Sequence, residues 1–245
     1  MPYRRIFFER NQAFHIVSRA VEAIKIFANE EDCYRFIFHF QAANLGRRNT
    51  NLKGKDIIKA GQALLRGEKI PPKFIIAEHP PFVYLIDFSL VITHYHLYLS
   101  PNIENSIPFL IQKLNNGFAK SFNLRHNRRD TLFGSRYKSI LVKTEPQSEV
   151  VRRYVSIINP LDVYQPGWRE NGLKDWKGAF KFLESYQFSS FPDQIGKRRV
   201  QILAPKEILE RYSFKRDSEG QKEYLKFVED FLKEKLKNTH PFFLE

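Results

Sequence analysis

The sequence contains a single cysteine, Cys33, and this scarcity excludes a disulfide framework and a zinc ribbon built on cysteines. It also lacks any run of about 18 apolar residues, so we expect no transmembrane helix and no membrane partner. The first ten residues include three arginines and no continuous apolar core, so we expect no signal peptide. These absences favour a soluble, cytoplasmic protein.

What the sequence does contain is a large apolar fraction and an excess of positive charge. Apolar residues make up 42% of the chain, with 23 Phe and 11 Tyr, which is enough for the core of one large domain or of a domain with an appendage. Forty Lys and Arg against 27 Asp and Glu give a net charge of +13. Such an excess favours a polyanionic partner, and nucleic acid is the simplest candidate.

The positive charge is concentrated in two segments. Residues 43–73 carry eight bases against two acids, and residues 120–143 carry seven bases against one acid, so each segment has a net charge of +6. One interpretation is that both are solvated loops kept basic for solubility. The other is that both contact phosphates, with aromatic residues of the second segment stacking on bases.

Hydrophobic periodicity predicts an α+β protein in which strands and helices interleave. Strands are expected at 14–18, 74–77 and 82–99, with a turn or bend near 87–89, and a hairpin or strand at 132–142. Helices are expected at 30–44, 56–66, 106–122, 148–158, 176–186, 206–211 and 221–237. Residues 161–172 are predicted to be loop, because Asn159 precedes a proline and should end the helix before it.

The sharpest local motif is the pair His94 and His96 in a predicted strand. Residues i and i+2 of a strand face the same side, so the two imidazoles point together and can share one divalent cation. The alternative is a pair of histidines on the sheet that are satisfied by hydrogen bonds. A metal would need a further ligand, which spacing alone does not identify, and the other histidines are scattered along the chain.

Tyr154 follows two arginines on the predicted helix at 148–158. A phenol has a pKa of about 10 and is a weak nucleophile at neutral pH. It can still attack a phosphodiester when a metal and nearby bases neutralise the developing charge. The alternative is that Tyr154 is one of several tyrosines that pack on the sheet.

Several segments then occur in an order that is familiar from one family. They are FHIVSRA at 14–20, HYHLYL at 94–99, FAKSFN at 118–123, LFGSRYKSILV at 132–142, RYV at 153–155 and NPL at 159–161. With FSS at 188–190, they resemble the HUH single-tyrosine transposases of the insertion-sequence 200-like type, especially the REP-associated tyrosine transposases. The resemblance covers roughly residues 12–190. The resemblance implies a ferredoxin-like core with a central antiparallel sheet. It divides the chain into a catalytic domain at 1–190, with a basic insertion at 43–73, and a helical extension at 191–245.

The resemblance also implies a reaction, in which single-stranded or hairpin DNA is cut and rejoined through a covalent 5′-phosphotyrosine link. Tyr154 would be the nucleophile. The ligands of a Mg²⁺ or Mn²⁺ ion would be His94, His96 and Asn159. The basic residues expected to contact DNA are Arg19, Arg128, Arg129, Arg136 and Lys138.

One departure from the family concerns the third ligand. The family has Asn or Gln four residues after the tyrosine, whereas this chain has Ile158 there and Asn159 five residues on. In a regular α-helix, five residues would place Tyr154 and Asn159 about 140° apart. A bulge, or an unwound end before Pro160, would restore the match, whereas an alignment on Asn-Pro would put Val155 at the nucleophile position.

Two other functions remain open at this stage. A non-catalytic or domesticated nucleic-acid-binding protein could keep the fold and the basic surfaces. A metal-dependent hydrolase of small substrates would leave the two basic segments unexplained. The sequence does not distinguish a monomer from a homodimer, and it does not identify a DNA target.

Overall fold

The computed structural model describes residues 7–212 and 218–236. Within these ranges the strands are β1 (Ala13–Arg19), β2 (Gly46–Arg48), β3 (Ile75–Ala77), β4 (Val83–Val91), β5 (His94–Pro101) and β6 (Lys138–Val142). The α-helices are α1 (Glu30–Leu45), α2 (Gly54–Leu65), α3 (Ser106–Arg125), α4 (Glu145–Arg153), α5 (Asn159–Tyr164), α6 (Trp168–Asn171), α7 (Trp176–Ser185), α8 (Phe191–Gln194), α9 (Lys206–Leu209) and α10 (Ser218–Glu234). A π-helical turn, Tyr154–Ile158, joins α4 to α5. None of the helices in the described ranges is both long and apolar enough to cross a bilayer.

The core of the fold is a four-stranded antiparallel sheet with the strand order β4-β5-β1-β6. Along the chain its elements follow the order β1, α1, β4, β5, α3, β6. This β-α-β-β-α-β connectivity is ferredoxin-like, so the predicted α+β fold class is confirmed.

Segment 43–73 begins in the last turn of α1, and the rest of it lies between α1 and β4. It contains β2 and α2, and β2 pairs with β3 in a small second sheet. Helix α2 packs on α1 through a separate apolar cluster that includes Phe38, Ile57 and Ile75. The basic segment is therefore folded and anchored, and its Lys and Arg side chains are exposed except for the half-buried Arg48.

The two faces of the main sheet carry different types of side chain, because successive side chains of a strand point to opposite faces. Phe14, Ile16, Tyr95 and Leu97 point to one face and join α1 and α3 in the largest apolar cluster of the described chain. His15, His94 and His96 point to the opposite face. There the segment α4–π turn–α5 covers the sheet, and Val155 packs with Tyr98 and Ile86.

The turn expected near 87–89 is misplaced. Val91 pairs with His94, so the hairpin turn falls at 92–93, and only a register shift between Leu85 and Asp87 marks the earlier position. The polar residues of this stretch suggested a turn, but Asp87 is fully buried and forms an ion pair with Arg152. A charge that is neutralised inside the protein does not need a solvent-exposed turn.

The helix end expected before Pro160 is also wrong. Helix α5 begins at Asn159 and carries Pro160 in its first turn, where a missing N–H leaves no hydrogen bond unmade. The π turn before it shifts the hydrogen-bond pattern by one residue, because the Asn159 N–H donates to the Tyr154 carbonyl. Residues 161–172, predicted as loop, consequently include the end of α5 and all of α6. The strand expected over 132–142 forms only at 138–142.

The C-terminal helices hold the Tyr154 segment through a buried polar network. Arg152 donates to Asp87 at 2.7 Å, and the side-chain amide of Gln194 in α8 donates to the other oxygen of Asp87 at 2.6 Å. The hydroxyls of Ser156 and Tyr224 both donate to the Gln194 carbonyl oxygen, at 3.0 and 2.6 Å. This network joins strand β4, the π turn, α8 and α10 at one point.

The expected domain division includes residues 1–6, 213–217 and 237–245, which lie outside the described chain.

Candidate functional site

The His94 and His96 side chains project from the start of β5, immediately after the 92–93 turn. Their ring centroids are 4.9 Å apart, and both residues are buried. The Thr93 hydroxyl lies 3.0 Å from Nδ1 of His94. The two imidazoles therefore share one face of the sheet, as the i, i+2 spacing predicted.

A third imidazole belongs to the same cluster. Nε2 of His15 in β1 lies 3.0 Å from Nδ1 of His96, and the two rings stack with their centroids 5.2 Å apart. Sequence reasoning missed His15 because it lies 79 residues from His94, and only the pairing of β1 with β5 brings them together. An apolar strand pattern gives no information about which strand it will pair with.

Burial keeps these histidines neutral. It lowers the pKa of His15 to about 4 and the pKa of His94 to about 3, and it lowers the pKa of His96 well below the usual value. The charges of Arg19 and Arg169 lower the pKa values of His94 and His96 further. The cluster is thus a set of uncharged imidazoles beside two guanidinium groups, an environment that favours an anion.

Tyr154, the first residue of the π turn, packs its ring edge-on against this cluster. Its ring centroid is 5.8 Å from that of His15 and 5.6 Å from that of His96. Val155, the alternative nucleophile position, packs into the apolar cluster around Tyr98. Of the two positions, the tyrosine is the one beside the imidazoles.

Arg169 of α6 connects Tyr154 with Asn159. Its Nη2 donates to the Asn159 side-chain oxygen at 3.0 Å and to Asp162 at 2.6 Å, and its Nε donates to Asp162 at 3.0 Å. The guanidinium also lies 5.4 Å from the Tyr154 ring centroid and interacts with its hydroxyl. Burial alone would lower the pKa of Arg169, but the contacts with Asp162 and Tyr154 outweigh it and raise the pKa. Arg169 and Asp162 lie in the stretch predicted as loop, so their role was also missed.

Two of the three expected ligands, His94 and His96, have the chemistry that a divalent cation requires. His94 and His96 supply neutral imidazoles, and Nε2 of His96 is buried with no hydrogen-bond partner in the described chain. If Nδ1 of His96 donates to His15, Nε2 keeps the lone pair that a metal requires. The Asn159 oxygen already accepts from Arg169. Residues 7–212 and 218–236 contain no group of three His, Cys, Asp or Glu that could hold a metal ion.

Two of the five expected DNA-contacting residues lie on the imidazole face of the sheet. Arg19 pairs with His94 across β1 and β5, and Lys138 pairs with Val17, the neighbour of His96. Both are exposed. Lys138 lies on β6, which is an edge strand of the main sheet.

The other three expected residues lie elsewhere. Arg136 lines a cleft of about 510 Å³ between α3 and the loop at 131–137, together with Phe133 and Tyr137. Arg128 and Arg129 follow the carboxyl end of α3. The structure thus separates the expected basic residues into a group beside the imidazoles and a group beside α3.

Comparisons with known proteins show a likeness in structure and none in sequence. No protein-family model matches this chain, and no curated protein matches it in sequence. A solved structure of a REP-associated tyrosine transposase bound to a REP hairpin is similar, with a TM-score of 0.47 and 11% sequence identity. The likeness covers 84% of this chain and 92% of that chain.

Proposed function

We propose that this protein cuts and rejoins single-stranded or hairpin DNA through a covalent 5′-phosphotyrosine intermediate on Tyr154. The observation that carries the proposal is the contact of the Tyr154 ring with His15 and His96, next to two guanidinium groups. A phenol, neutral imidazoles and fixed positive charge are the groups that transfer of a phosphodiester to tyrosine requires. The sequence resemblance to the single-tyrosine transposases supports the same reaction.

The reaction is a transesterification in which the residues of this chain have separate roles. The Tyr154 oxygen attacks the scissile phosphorus, the bond from phosphorus to the 3′-oxygen breaks, and the phenol proton is balanced by the proton that the released 3′-hydroxyl takes up. Arg169 and Arg19 offset the charge that develops on the phosphate oxygens. A Mg²⁺ or Mn²⁺ ion held by His94 and His96, with Asn159 as the proposed third ligand, would polarise the scissile phosphate.

The test is an incubation of the full chain with single-stranded oligonucleotides from the DNA that flanks its gene, with and without Mn²⁺. We expect a protein–DNA adduct that survives denaturation, forms only with the metal, and is lost in His96→Ala. The matched control is His79→Ala, a half-buried histidine whose ring stacks on Phe82 and not on the imidazole cluster. If no adduct forms with any divalent metal or with hairpin substrates, the cleavage proposal is contradicted.

A second candidate is a DNA-binding protein without catalysis. It is favoured by the burial of the Tyr154 side chain, which is only 1% exposed and packs in an apolar cluster with Trp168 and Leu232. This candidate predicts salt-sensitive DNA binding that is unchanged in His94→Ala and Tyr154→Phe, with no cleavage. The same adduct assay therefore separates the two candidates.

Arg169 provides a more specific prediction for the cleavage reaction. Arg169→Gln should slow adduct formation about 10- to 100-fold, because a charge-assisted contact to the reacting phenol contributes on the order of 1.5–3 kcal/mol. If the guanidinium stabilises the phenolate, the rate profile of the variant should also move to higher pH. Arg153→Gln, whose guanidinium lies over Phe227 instead, is the matched control. An equal loss of rate at every pH would assign Arg169 a structural role only.

A further inference from the structure

A second cluster of positive groups lies on the other side of the sheet, where α1 meets α2 and α3. Arg35 and His39 are one turn apart on α1, so they share a face of that helix. Their side chains are 6% and 5% exposed. Each basic segment brings one charge near Arg35 and His39, because Arg48 belongs to segment 43–73 and Arg125 belongs to segment 120–143.

The buried groups of this cluster have few direct partners, and Glu31 and Asp32 favour the charge of Arg35 without forming an ion pair with it. Arg35 makes no hydrogen bond or ion pair with any residue in the described ranges, and its Nε is fully buried. Nε2 of His39 is buried and equally without a partner there. Arg125 forms an ion pair with Asp32 through Nη1, while its Nε and Nη2 are buried and unbonded within the same ranges. Asp32 also accepts from His126, so this one carboxylate is shared.

The amino end of α2, which carries a partial positive charge, lies next to Arg35 in this cluster. A Cβ at Gly54, the first residue of α2, would lie 3.2 Å from Nη2 of Arg35. The N–H groups of Gly54 and Lys55 have no partner in the described chain, as expected for the first turn of a helix. Asp56 is engaged with the Lys53 N–H at 3.0 Å. Gly54 is exposed and gives the cluster an opening to solvent.

Positive groups in this number repel one another unless an anion lies among them. Burial, and then the charges of Arg48, Arg35 and Arg125, lower the pKa of His39 to about 3. Burial, and then the charges of Arg125 and Arg48, also lower the pKa of Arg35, although Glu31 and Asp32 act in the opposite direction. A buried guanidinium without a partner is strongly unfavourable. Guanidinium groups together with the N–H groups of a helix amino end match the oxygens of a phosphate.

We propose that Arg35, Arg48, Arg125 and the amino end of α2 form a phosphate-binding site, separate from the Tyr154 cluster. The group bound is either a phosphate of the nucleic-acid backbone or a free phosphate ion, because both present the same oxygens. The proposal does not depend on DNA cleavage, so it is tested in EDTA, where metal-dependent cleavage does not contribute.

The first experiment compares the thermal midpoint of the full chain in orthophosphate and in chloride at equal ionic strength. The wild-type midpoint should rise with phosphate in a saturable manner, and Arg35→Met should lose that rise. In chloride, Arg35→Met should be at least as stable as the wild type, because a buried charge without a partner has been removed. A purely structural role of Arg35 would lower the midpoint equally in both buffers, and that result overturns the proposal. No phosphate-dependent shift of the wild type would overturn it as well.

A second experiment uses the half-buried Arg48, whose replacement does not endanger folding, and the neighbouring Arg47 as its matched control. Arg47 is exposed and paired with Glu78, so Arg47→Gln removes the same charge outside the site. Arg48→Gln should weaken orthophosphate binding about tenfold relative to Arg47→Gln. Equal affinities of the two variants for orthophosphate would contradict the site. An additional tenfold loss for a single-stranded oligonucleotide in Arg48→Gln alone identifies the backbone as the source, whereas unchanged oligonucleotide affinity identifies the free ion.

Discussion

Covalent attachment of DNA will fall below detection when Tyr154 is replaced by Phe. The substitution removes one oxygen and keeps the ring that packs against His15 and His96, so the fold and the DNA affinity should be retained. Only the atom that forms the bond to phosphorus is lost. The measurement is the yield of denaturation-resistant adduct on a labelled oligonucleotide.

The control for this variant is Tyr164→Phe, which removes a hydroxyl from α5 only ten residues further on. Tyr164 packs against Phe182 and not against the imidazoles, so its replacement should leave the adduct yield within about twofold of the wild type, as is usual for a change remote from the chemistry. If Tyr154→Phe still forms the adduct, another residue is the nucleophile. If both variants lose it, the effect comes from the packing of this segment.

Asp87→Ala should lower the free energy of unfolding by about 3–5 kcal/mol, since it leaves Arg152 as a buried charge without its carboxylate. The amide of Gln194 would lose its acceptor as well. Urea unfolding followed by circular dichroism measures the change. Glu68→Gln, at the exposed pair Arg66–Glu68, is the control and should have no measurable effect.

A compensating double variant distinguishes charge burial from simple loss of packing. Asp87→Leu with Arg152→Met replaces the whole ion pair by apolar side chains, so no charge is left buried. It should recover most of the stability that Asp87→Ala loses. A double variant as unstable as the single one would show that the network is needed for its geometry and not for charge balance.

Local sequence patterns were sufficient for the core elements and for the His pair. Strand alternation placed His94 and His96 on one face, and the helices α1, α2, α3 and α7 follow the predicted spans within three residues at each end. Both properties depend on neighbours in the sequence. The ferredoxin-like connectivity came from the order of strands and helices together with the family resemblance.

The remaining features of the site depend on tertiary contacts, and sequence patterns do not encode these locally. His15 reaches His96 only through the register of β1 against β5. The sequence did not decide whether a bulge brings Tyr154 and Asn159 to the same side. Helix propensity favours a regular helix at this point, and Pro160 suggested that the helix ends there. Arg169 was missed because α6 is four residues long, too short for a periodic pattern. The sequence predicted the turn near 87–89 and not at 92–93, because Asp87, which forms a buried ion pair, looks like a residue of a polar loop in the sequence.

The most direct test of the account is to identify the residue that carries the DNA. The adduct formed in Mn²⁺ is trimmed with nuclease, digested with protease and sequenced by tandem mass spectrometry. The account predicts a nucleotide linked through its 5′-phosphate to Tyr154 and to no other tyrosine. A nucleotide on a different residue, or a cleaved strand with no protein-linked product, would contradict it.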